Sequence, residues 1–293
     1  MSDAARGHLA MLIFSALVAG SFSLGALAAN EIAPTALNAV RFVLAACVLG
    51  VAVFASGAAT RAAWESPWRY LVLGGFFALY FVLMFEGLKT APPVSAAAVF
   101  TMTPIMTAFF GWLLLRQVTS GRMAFALAIG AAGALWVIFR ADLAALLAFK
   151  IGIGELIYLI GCASHAVYVP LVRMLNRGES PLAFAFGTLI GGSVLLIAYG
   201  WPALQATEWA ALPMVVWVTL GYITVFATAV TFVLVQYASL RLPGAKVMAY
   251  TYLVPSWVML WEVTMGNGVP SGMILIGVAL TVVALVMLLR EEV

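Results

Sequence analysis

The chain has 293 residues, of which 65% are hydrophobic and only 9% are charged, and its mean hydropathy is +1.13. Soluble domains carry about 25% charged residues, so this composition excludes a water-soluble enzyme, a disordered chain and a coiled coil. The net charge is +3, but the 14 Lys and Arg residues are spread along the chain and form no basic cluster of the kind that binds nucleic acid. A lipid bilayer is the expected solvent.

Ten apolar segments, separated by polar or Pro/Gly breaks, follow one another in chain order. They lie at residues 8–29, 33–54, 68–89, 92–115, 123–140, 151–172, 180–200, 212–239, 243–263 and 270–290. A membrane-spanning helix needs about 20 mainly apolar residues. The sequence therefore predicts an all-α integral membrane protein with ten transmembrane helices, and a short interfacial stretch at 143–149.

Lysine and arginine residues in the predicted loops favour one side of the membrane. When ten spans alternate, one side receives Arg6, Arg61, Arg69, Arg116, Arg122, Arg173, Arg177, Arg241, Lys246 and Arg290. The other side receives Lys89, Arg140 and Lys150. Loops rich in Lys and Arg remain in the cytoplasm, so this ratio of ten to three predicts that both termini are cytoplasmic.

The two halves of the chain share weak matches at a constant shift of 151 residues. The matched pairs are Pro92 and Pro243, Pro104 and Pro255, Val118 and Val269, and Gly121 and Gly272. Each half holds five predicted spans, and an odd number makes the second half begin on the opposite side of the membrane. The sequence thus predicts two inverted five-helix repeats, residues 1–146 and 147–293, an arrangement that many transporters use.

With these features the chain resembles the drug/metabolite transporter superfamily and, within it, the EamA-type exporters. The likeness depends on the five-helix halves, on the spacing of Pro34 and Arg41 in span 2, and on prolines in spans 4 and 9. Among the EamA-type exporters, the chain more narrowly resembles the bacterial exporters of aromatic amino acids. The resemblance implies a central cavity between spans 1, 3, 4, 6, 8 and 9. The second half departs from the spacing, because Thr188 stands seven residues after Pro181.

Hydroxyl and aromatic side chains at helical spacing predict the faces that line this cavity. The predicted substrate-binding residues are Tyr80, Phe100, Thr101, His165, Tyr168, Thr228, Thr231, Thr251 and Tyr252. Apolar pockets with a few placed polar groups suit an amphipathic solute. Packing between helices, for which membrane proteins often use Thr and small residues, is the alternative explanation.

Pro104 and Pro255 lie near the middle of spans 4 and 9. A proline inside a helix leaves the carbonyl four residues earlier without its usual partner, here those of Phe100 and Thr251. Such carbonyls in a bilayer need a wet cavity or another partner. The two prolines therefore predict kinked helices that face the solute path, or static kinks that a neighbouring group satisfies.

Three polar residues inside spans carry further hypotheses. His165 stands in the middle of span 6, where an ionisable group is costly and functional by default. It is predicted to bind a substrate carboxylate, to carry a proton, or to make one structural hydrogen bond. Asn38 and Arg41 share a face of span 2 and predict either a structural role or contact with a carboxylate.

These features together predict an exporter of aromatic and other apolar amino acids in the bacterial cytoplasmic (inner) membrane. The alternatives are a broad-specificity drug or metabolite exporter and, more remotely, a membrane sensor or scaffold that transports nothing. The sequence contains no phosphate-binding loop and no metal-ligand pattern, so no enzyme, cofactor or metal is expected. The expected partners are a small solute and lipid, with a monomer or homodimer as the assembly.

Overall fold

The computed structural model of the protein describes residues 3–58, 64–118, 120–139, 141–147, 151–268 and 271–289. Helices form almost all of this part of the chain, and none of it is a β-strand. The α-helices are α1 (Asp3–Ala28), α2 (Pro34–Ala55), α3 (Trp68–Gly87), α4 (Pro93–Phe100), α5 (Thr103–Leu115), α6 (Gly121–Ile138), α7 (Leu143–Leu147), α8 (Ile153–Leu175), α9 (Pro181–Ala206), α10 (Met214–Thr224), α11 (Thr231–Ser239), α12 (Gly244–Ala249), α13 (Val254–Thr264) and α14 (Gly272–Leu289). A π-helical segment (Val225–Val230) joins α10 to α11, and 3-10 turns occur at Trp209–Ala211 and Tyr250–Leu253.

Proline and serine mark the beginnings of several helices. Pro34 and Pro181 occupy the first turns of α2 and α9, where a missing N–H costs nothing. Ser120 and Ser180 precede α6 and α9, and each hydroxyl accepts from a backbone N–H three residues later, at 3.1 and 3.2 Å. The serine hydroxyls satisfy backbone N–H groups of the first helical turn, and the prolines have no such group to satisfy. Residues of these types therefore mark where the helices begin in the sequence.

Nine helical segments in the described ranges are long and apolar enough to cross a bilayer. One of them is the pair α4 and α5, which together run from Pro93 to Leu115. The ninth predicted segment, 243–263, is not among these nine helices, because it folds as α12, the 3-10 turn and α13 and no continuous α-helix runs through it. The all-helical class is confirmed, while the count of ten spans remains a prediction.

Two predicted boundaries need comment. Helix α9 continues to Ala206, beyond the predicted end at residue 200, because Pro202 is accommodated inside the helix. The interfacial stretch predicted at 143–149 folds as α7, and residues 148–150 lie outside the described part of the chain. The same is true of Val269, one member of the matched pairs.

The alternating helices place their connections in two groups. The first end comprises residues 56–58, 64–67, 116–118, 176–180 and 240–243, and the second end comprises residues 29–33, 88–92, 207–213 and 265–268. At the first end, Arg69 donates to the carbonyl of Leu175 at 2.5 Å. At the second end, Asn30 donates to the carbonyl of Lys89 at 3.3 Å.

Positive charge is concentrated at the first end of the described chain. The cations there are Arg6, Arg69, Arg116, Arg122, Arg173, Arg177, Arg241 and Lys246, against Lys89 at the second end. Four further cations used to predict orientation, Arg61, Arg140, Lys150 and Arg290, lie outside the described residues. The two ends therefore differ in charge.

Helices α6 and α14 pack against each other through glycine. A Cβ built on Gly133 would lie 2.6 Å from the carbonyl oxygen of Gly277, and one on Gly277 would lie 2.7 Å from that of Gly133. Further along α6, the indole Nε1 of Trp136 donates to the carbonyl of Met273 at 2.8 Å. The residue numbers rise in one helix as they fall in the other, so the pair is antiparallel and its crossing requires glycine.

Candidate functional site

The span formed by α4 and α5 is interrupted where the proline predicts it. Helix α4 ends at Phe100, and α5 begins at Thr103 with Pro104 in its first turn. The carbonyl of Phe100, which Pro104 cannot bond, accepts a hydrogen bond from the hydroxyl of Thr103. The Thr101 hydroxyl donates to the carbonyl of Ala98 at 2.6 Å. The break is thus satisfied by hydroxyls of the same span, and Thr103 was not among the predicted residues.

The second interrupted span differs in its hydrogen bonds. The 3-10 turn Tyr250–Leu253 precedes Pro255, and the carbonyl of Tyr252 accepts from the Thr281 hydroxyl of α14 at 2.9 Å. The Thr251 hydroxyl and the Tyr252 hydroxyl are buried, and neither has a hydrogen-bond partner in the described part of the protein.

Nine rings pack together in the middle of the molecule, and we call them the aromatic centre. They belong to Phe22, Phe77, Tyr80, Phe81, Phe100, Tyr158, His165, Tyr168 and Phe232. Each of these side chains is at most 3% exposed. Helices α1, α3, α4, α8 and α11 contribute them, so the structure brings together Tyr80, Phe100, His165 and Tyr168 as predicted neighbours.

His165 supplies the imidazole ring of this centre. Its ring stacks on Tyr80 at 4.7 Å between centroids and on Tyr168 at 6.0 Å, and Phe77 meets it edge-on at 5.1 Å. Neither Nδ1 nor Nε2 has a hydrogen-bond partner among the described residues. A buried polar atom without a partner is uncommon in native proteins and calls for an explanation.

The three tyrosine hydroxyls around His165 each have a hydrogen-bond partner other than His165. The Tyr80 and Tyr158 oxygens are 3.0 Å apart, and Gln236 Nε2 donates to the Tyr168 oxygen at 2.8 Å. Tyr158 was not predicted as a site residue. It precedes His165 by seven residues, which is two helical turns, so the helical face of His165 was the signal that indicated it.

Tyr252 does not join the aromatic centre. A Cβ built on Gly130 would collide with the Tyr252 ring, so this ring lies against α6. No ring contact links it to the centre in the described part of the molecule. The structure therefore places Tyr252 apart from the rings around His165, and its part in substrate binding stays a prediction.

Arg41 is fully buried, and all three of its guanidinium nitrogens are used. Nε donates to Thr228 Oγ1 at 2.5 Å, Nη2 to the carbonyl of Ala227 at 2.9 Å and Nη1 to Asn38 Oδ1 at 3.3 Å. The guanidinium carbon lies 3.6 Å from the ring centroid of Phe81. No carboxylate forms an ion pair with it among the described residues. The geometry thus favours the structural role over the carboxylate contact.

The partner of Arg41 is the π-helical segment Val225–Val230. Within it, the Thr228 hydroxyl donates to the carbonyl of Ile223, five residues earlier, at 2.7 Å. The Thr231 hydroxyl approaches the carbonyl of Thr228 at 3.4 Å. Both predicted hydroxyls are consequently occupied by the helix backbone. Segments of this kind are rare and are frequently found at functional sites.

In the part of the chain that the structure describes, cavities at three places lie away from the aromatic centre. One of about 320 Å³ is at the first end beside Arg173, and one of about 590 Å³ is at the second end beside Glu31 and Glu208. A third, of about 730 Å³, is an apolar groove between α2 and α9. In the described ranges no group of His, Cys, Asp or Glu is arranged to hold a metal ion.

The structure has long apolar helical spans around a buried centre of rings and polar groups, and two of these spans are interrupted beside a proline. These features define a multi-pass membrane protein of the transporter class. The profile of the EamA-like transporter family matches residues 5–139 and, a second time, residues 152–290. The chain belongs to the EamA-like transporter family. It therefore transports small molecules across a membrane and falls in a generally non-enzymatic class.

Two further comparisons agree with this assignment. The chain is 25% identical over 266 residues to YyaM of Bacillus subtilis (strain 168), an uncharacterized transporter. These residues make up 89% of this chain and 86% of YyaM. A solved crystal structure, described only as that of a protein, superposes with a TM-score of 0.74 at 20% identity, over 98% of this chain and 97% of the other. The second likeness shows the shared fold alone.

Proposed function

We propose that this protein exports aromatic and other apolar amino acids across the bacterial cytoplasmic membrane by alternating access. The observation that carries the proposal is His165, whose two nitrogens lack partners inside a cluster of stacked rings. The rings offer faces for an apolar side chain, and the imidazole offers a donor and an acceptor for the polar end of the solute.

Solute binding requires the aromatic centre to open, since its side chains are packed together in this conformation. The contacts between rings are worth about 0.5–1.5 kcal/mol each, so a solute ring that replaces them compensates for their loss. An exporter benefits from such an exchange of similar contacts, because tight binding of the solute would slow its release.

The alternating motion in this proposal uses two inverted halves, residues 1–146 and 147–293. Helix beginnings in the two halves support this, because those of α4, α5 and α6 are related to those of α12, α13 and α14 by the same shift of 151 residues. The antiparallel crossing of α6 and α14 at Gly133 and Gly277 is what inverted equivalents would produce. The excess of cations at the first end supports a cytoplasmic position for that end.

Counterflow into proteoliposomes tests the substrate. Labelled phenylalanine is supplied outside, and unlabelled Trp, Phe, Met, Thr, sugars or cationic drugs are loaded inside. We expect accumulation only with the amino acids, and exchange about tenfold slower in H165F, which keeps a ring but loses the equivalent of about 1.4 kcal/mol of polar contact.

The matched control is Y199A, because Tyr199 is an aromatic residue on α9 that is 78% exposed to the surroundings. It should exchange phenylalanine as the unmodified protein does. Exchange with sugars or cationic drugs and none with amino acids would contradict the proposal and favour the broad-specificity exporter. Equal loss of activity in H165F and Y199A would remove His165 from the binding site.

A further inference from the structure

Two adjoining cavities at the first end are lined by polar side chains, and two of these, Thr107 and Ser239, have hydroxyls with no hydrogen-bond partner in the described part of the protein. Gln117 and Arg173 line both of them. The larger cavity, of about 320 Å³, has apolar walls that include Met123. The smaller, of about 10 Å³, reaches Thr107 and Ser239 and has room for about one water molecule. We call the two together the vestibule.

Arg173 is the cation of the vestibule. Its Nε donates to the carbonyl of Ser239 at 3.0 Å and its Nη2 to that of Leu242 at 3.1 Å. The remaining nitrogen, Nη1, makes no hydrogen bond within the described ranges, and no carboxylate there is within ion-pair distance of it. Two carbonyls therefore fix the guanidinium in place while one edge of it stays available.

Two buried hydroxyls accompany this cation. Thr107 is 1% exposed and Ser239 is 2% exposed, and neither hydroxyl oxygen has a hydrogen-bond partner in the part of the protein described. The Gln117 side chain likewise makes no hydrogen bond there. Buried hydroxyls without partners are uncommon in native proteins, and here they lie around one small space beside a guanidinium.

We infer that the vestibule binds the carboxylate of a solute with an apolar body. Carboxylates accept from guanidinium, hydroxyl and amide donors, which are the groups that Arg173, Thr107 and Gln117 present. The apolar walls of the larger cavity cover the rest of the solute. Among the residues that the structure describes, no acidic side chain lines either cavity, so a cationic solute meets no counter-charge from them.

The vestibule and the aromatic centre both include residues of α8. Helix α8 carries Arg173, then Pro170 in the smaller cavity, then His165 about two turns before Arg173, and α5 borders the smaller cavity through Thr107. A solute that is held first by its carboxylate thus stands one to two helical turns from the rings. This role as a first binding step rests on the proposed export function, whereas carboxylate binding itself does not.

Calorimetric titration of the full-length protein in lipid nanodiscs tests the site. The probes are 3-phenylpropionate and its uncharged amide, 3-phenylpropanamide. We expect the carboxylate to bind more tightly than the amide and R173Q to weaken carboxylate binding about tenfold, as the loss of one charge-assisted hydrogen bond does. The control R241Q removes a guanidinium at the same end that stacks on Tyr237 at 3.6 Å and should bind both probes unchanged.

T107V keeps the proposal testable if R173Q does not fold, because Arg173 also holds two carbonyls. Valine has the shape of threonine, and its substitution removes a hydroxyl that has no partner. We expect T107V to be at least as stable as the unmodified protein and to bind 3-phenylpropionate several-fold more weakly. Equal affinity for the two probes, or unchanged affinity in R173Q and T107V, would overturn the inference.

The same variants separate this inference from the export function. If amino acids exchange in counterflow but carboxylate binding ignores Arg173 and Thr107, the vestibule site is wrong and the function stands. If amino acids fail to exchange while carboxylate binding depends on both residues, the site stands and the amino-acid assignment is wrong.

Discussion

At the scale of single residues, Arg41 shows how a charge is held inside an apolar helix bundle. A cation in hydrocarbon is costly, and here three acceptors and the face of Phe81 replace water. One of these acceptors, the carbonyl of Ala227, belongs to the π-helical segment Val225–Val230. Arg41 therefore ties α2 to that segment and needs no substrate to be satisfied.

Substituting lysine for Arg41 keeps the charge and removes the planar set of donors. Because one ammonium cannot serve the same three acceptors, we expect R41K to lose about 1.5–3 kcal/mol of stability for each hydrogen bond that is not remade. Thermal unfolding of the purified protein in detergent measures this. The control R122K changes an exposed arginine at the start of α6, and equal melting temperatures for both variants would contradict the structural role.

At the scale of elements, the two interrupted spans share their boundaries but not their hydrogen bonds. Thr103 begins α5, and Val254 begins α13 at the equivalent position. Only the first has a hydroxyl, which donates to the carbonyl that Pro104 leaves free. In the second span the carbonyl that Pro255 leaves free is that of Thr251, which accepts from the backbone N–H at the end of the 3-10 turn, and Thr281 of α14 bonds the neighbouring carbonyl of Tyr252. The first break is thus satisfied by a side-chain hydroxyl and the second by the backbone of its 3-10 turn.

A double-mutant cycle tests the local support of the first break. T103V removes the donor to the carbonyl of Phe100 and should cost about 1 kcal/mol of stability. In a P104A background the alanine N–H supplies that hydrogen bond, so the same change should cost less. The melting temperatures of the four proteins give the coupling. Equal costs in both backgrounds would show that the hydroxyl does not compensate for the proline.

At the scale of the whole molecule, a buried ion pair joins the two halves at the first end. Arg69 of α3 donates to Glu179 Oε1 at 2.6 Å, and the two side chains are only 1% and 5% exposed. Burial by itself raises the pKa of Glu179, but the hydrogen bonds from Arg69 and from the backbone N–H of Arg177 outweigh it and hold the pKa below its ordinary value. Folding therefore favours the ionised carboxylate.

The lowered pKa of Glu179 makes the contribution of this pair depend on pH. A carboxylate with a depressed folded pKa stabilises the protein above its unfolded pKa, about 4.3 for Glu, and loses that contribution as the pH falls through the folded value. We expect E179Q to melt below the unmodified protein near neutral pH, with a difference that shrinks in acid. Melting temperatures measured across an acidic pH series check this.

Glu31 supplies the matched control for Glu179, because Glu31 precedes α2 as Glu179 precedes α9, but Glu31 is exposed. E31Q should leave the melting temperature nearly unchanged over the same series. A difference between E179Q and the unmodified protein that stayed constant with pH would show that the charge of Glu179 is not what stabilises the first end.

The amino-acid sequence alone determined the solvent of this protein and the positions of its helices. Hydropathy, proline and cap residues act over a few turns, so helix ends such as Pro34 and Gly272 could be read from local patterns. The interruption beside Pro104 was predictable for the same reason. The residues of α8 that meet the rings were also partly predictable, since His165 and Tyr168 are on one helical face.

Only the tertiary structure decided which polar groups meet. Arg41 bonds Thr228 across 187 residues of sequence, and the turn before Pro255 directs Tyr252 toward Gly130. Nothing in a local pattern specifies such pairs, because an apolar helix can rotate about its axis at little cost until its neighbours are in place. Packing between helices of both halves therefore determines which polar groups form hydrogen bonds with each other. It thereby also determines which polar groups are left to bind a solute.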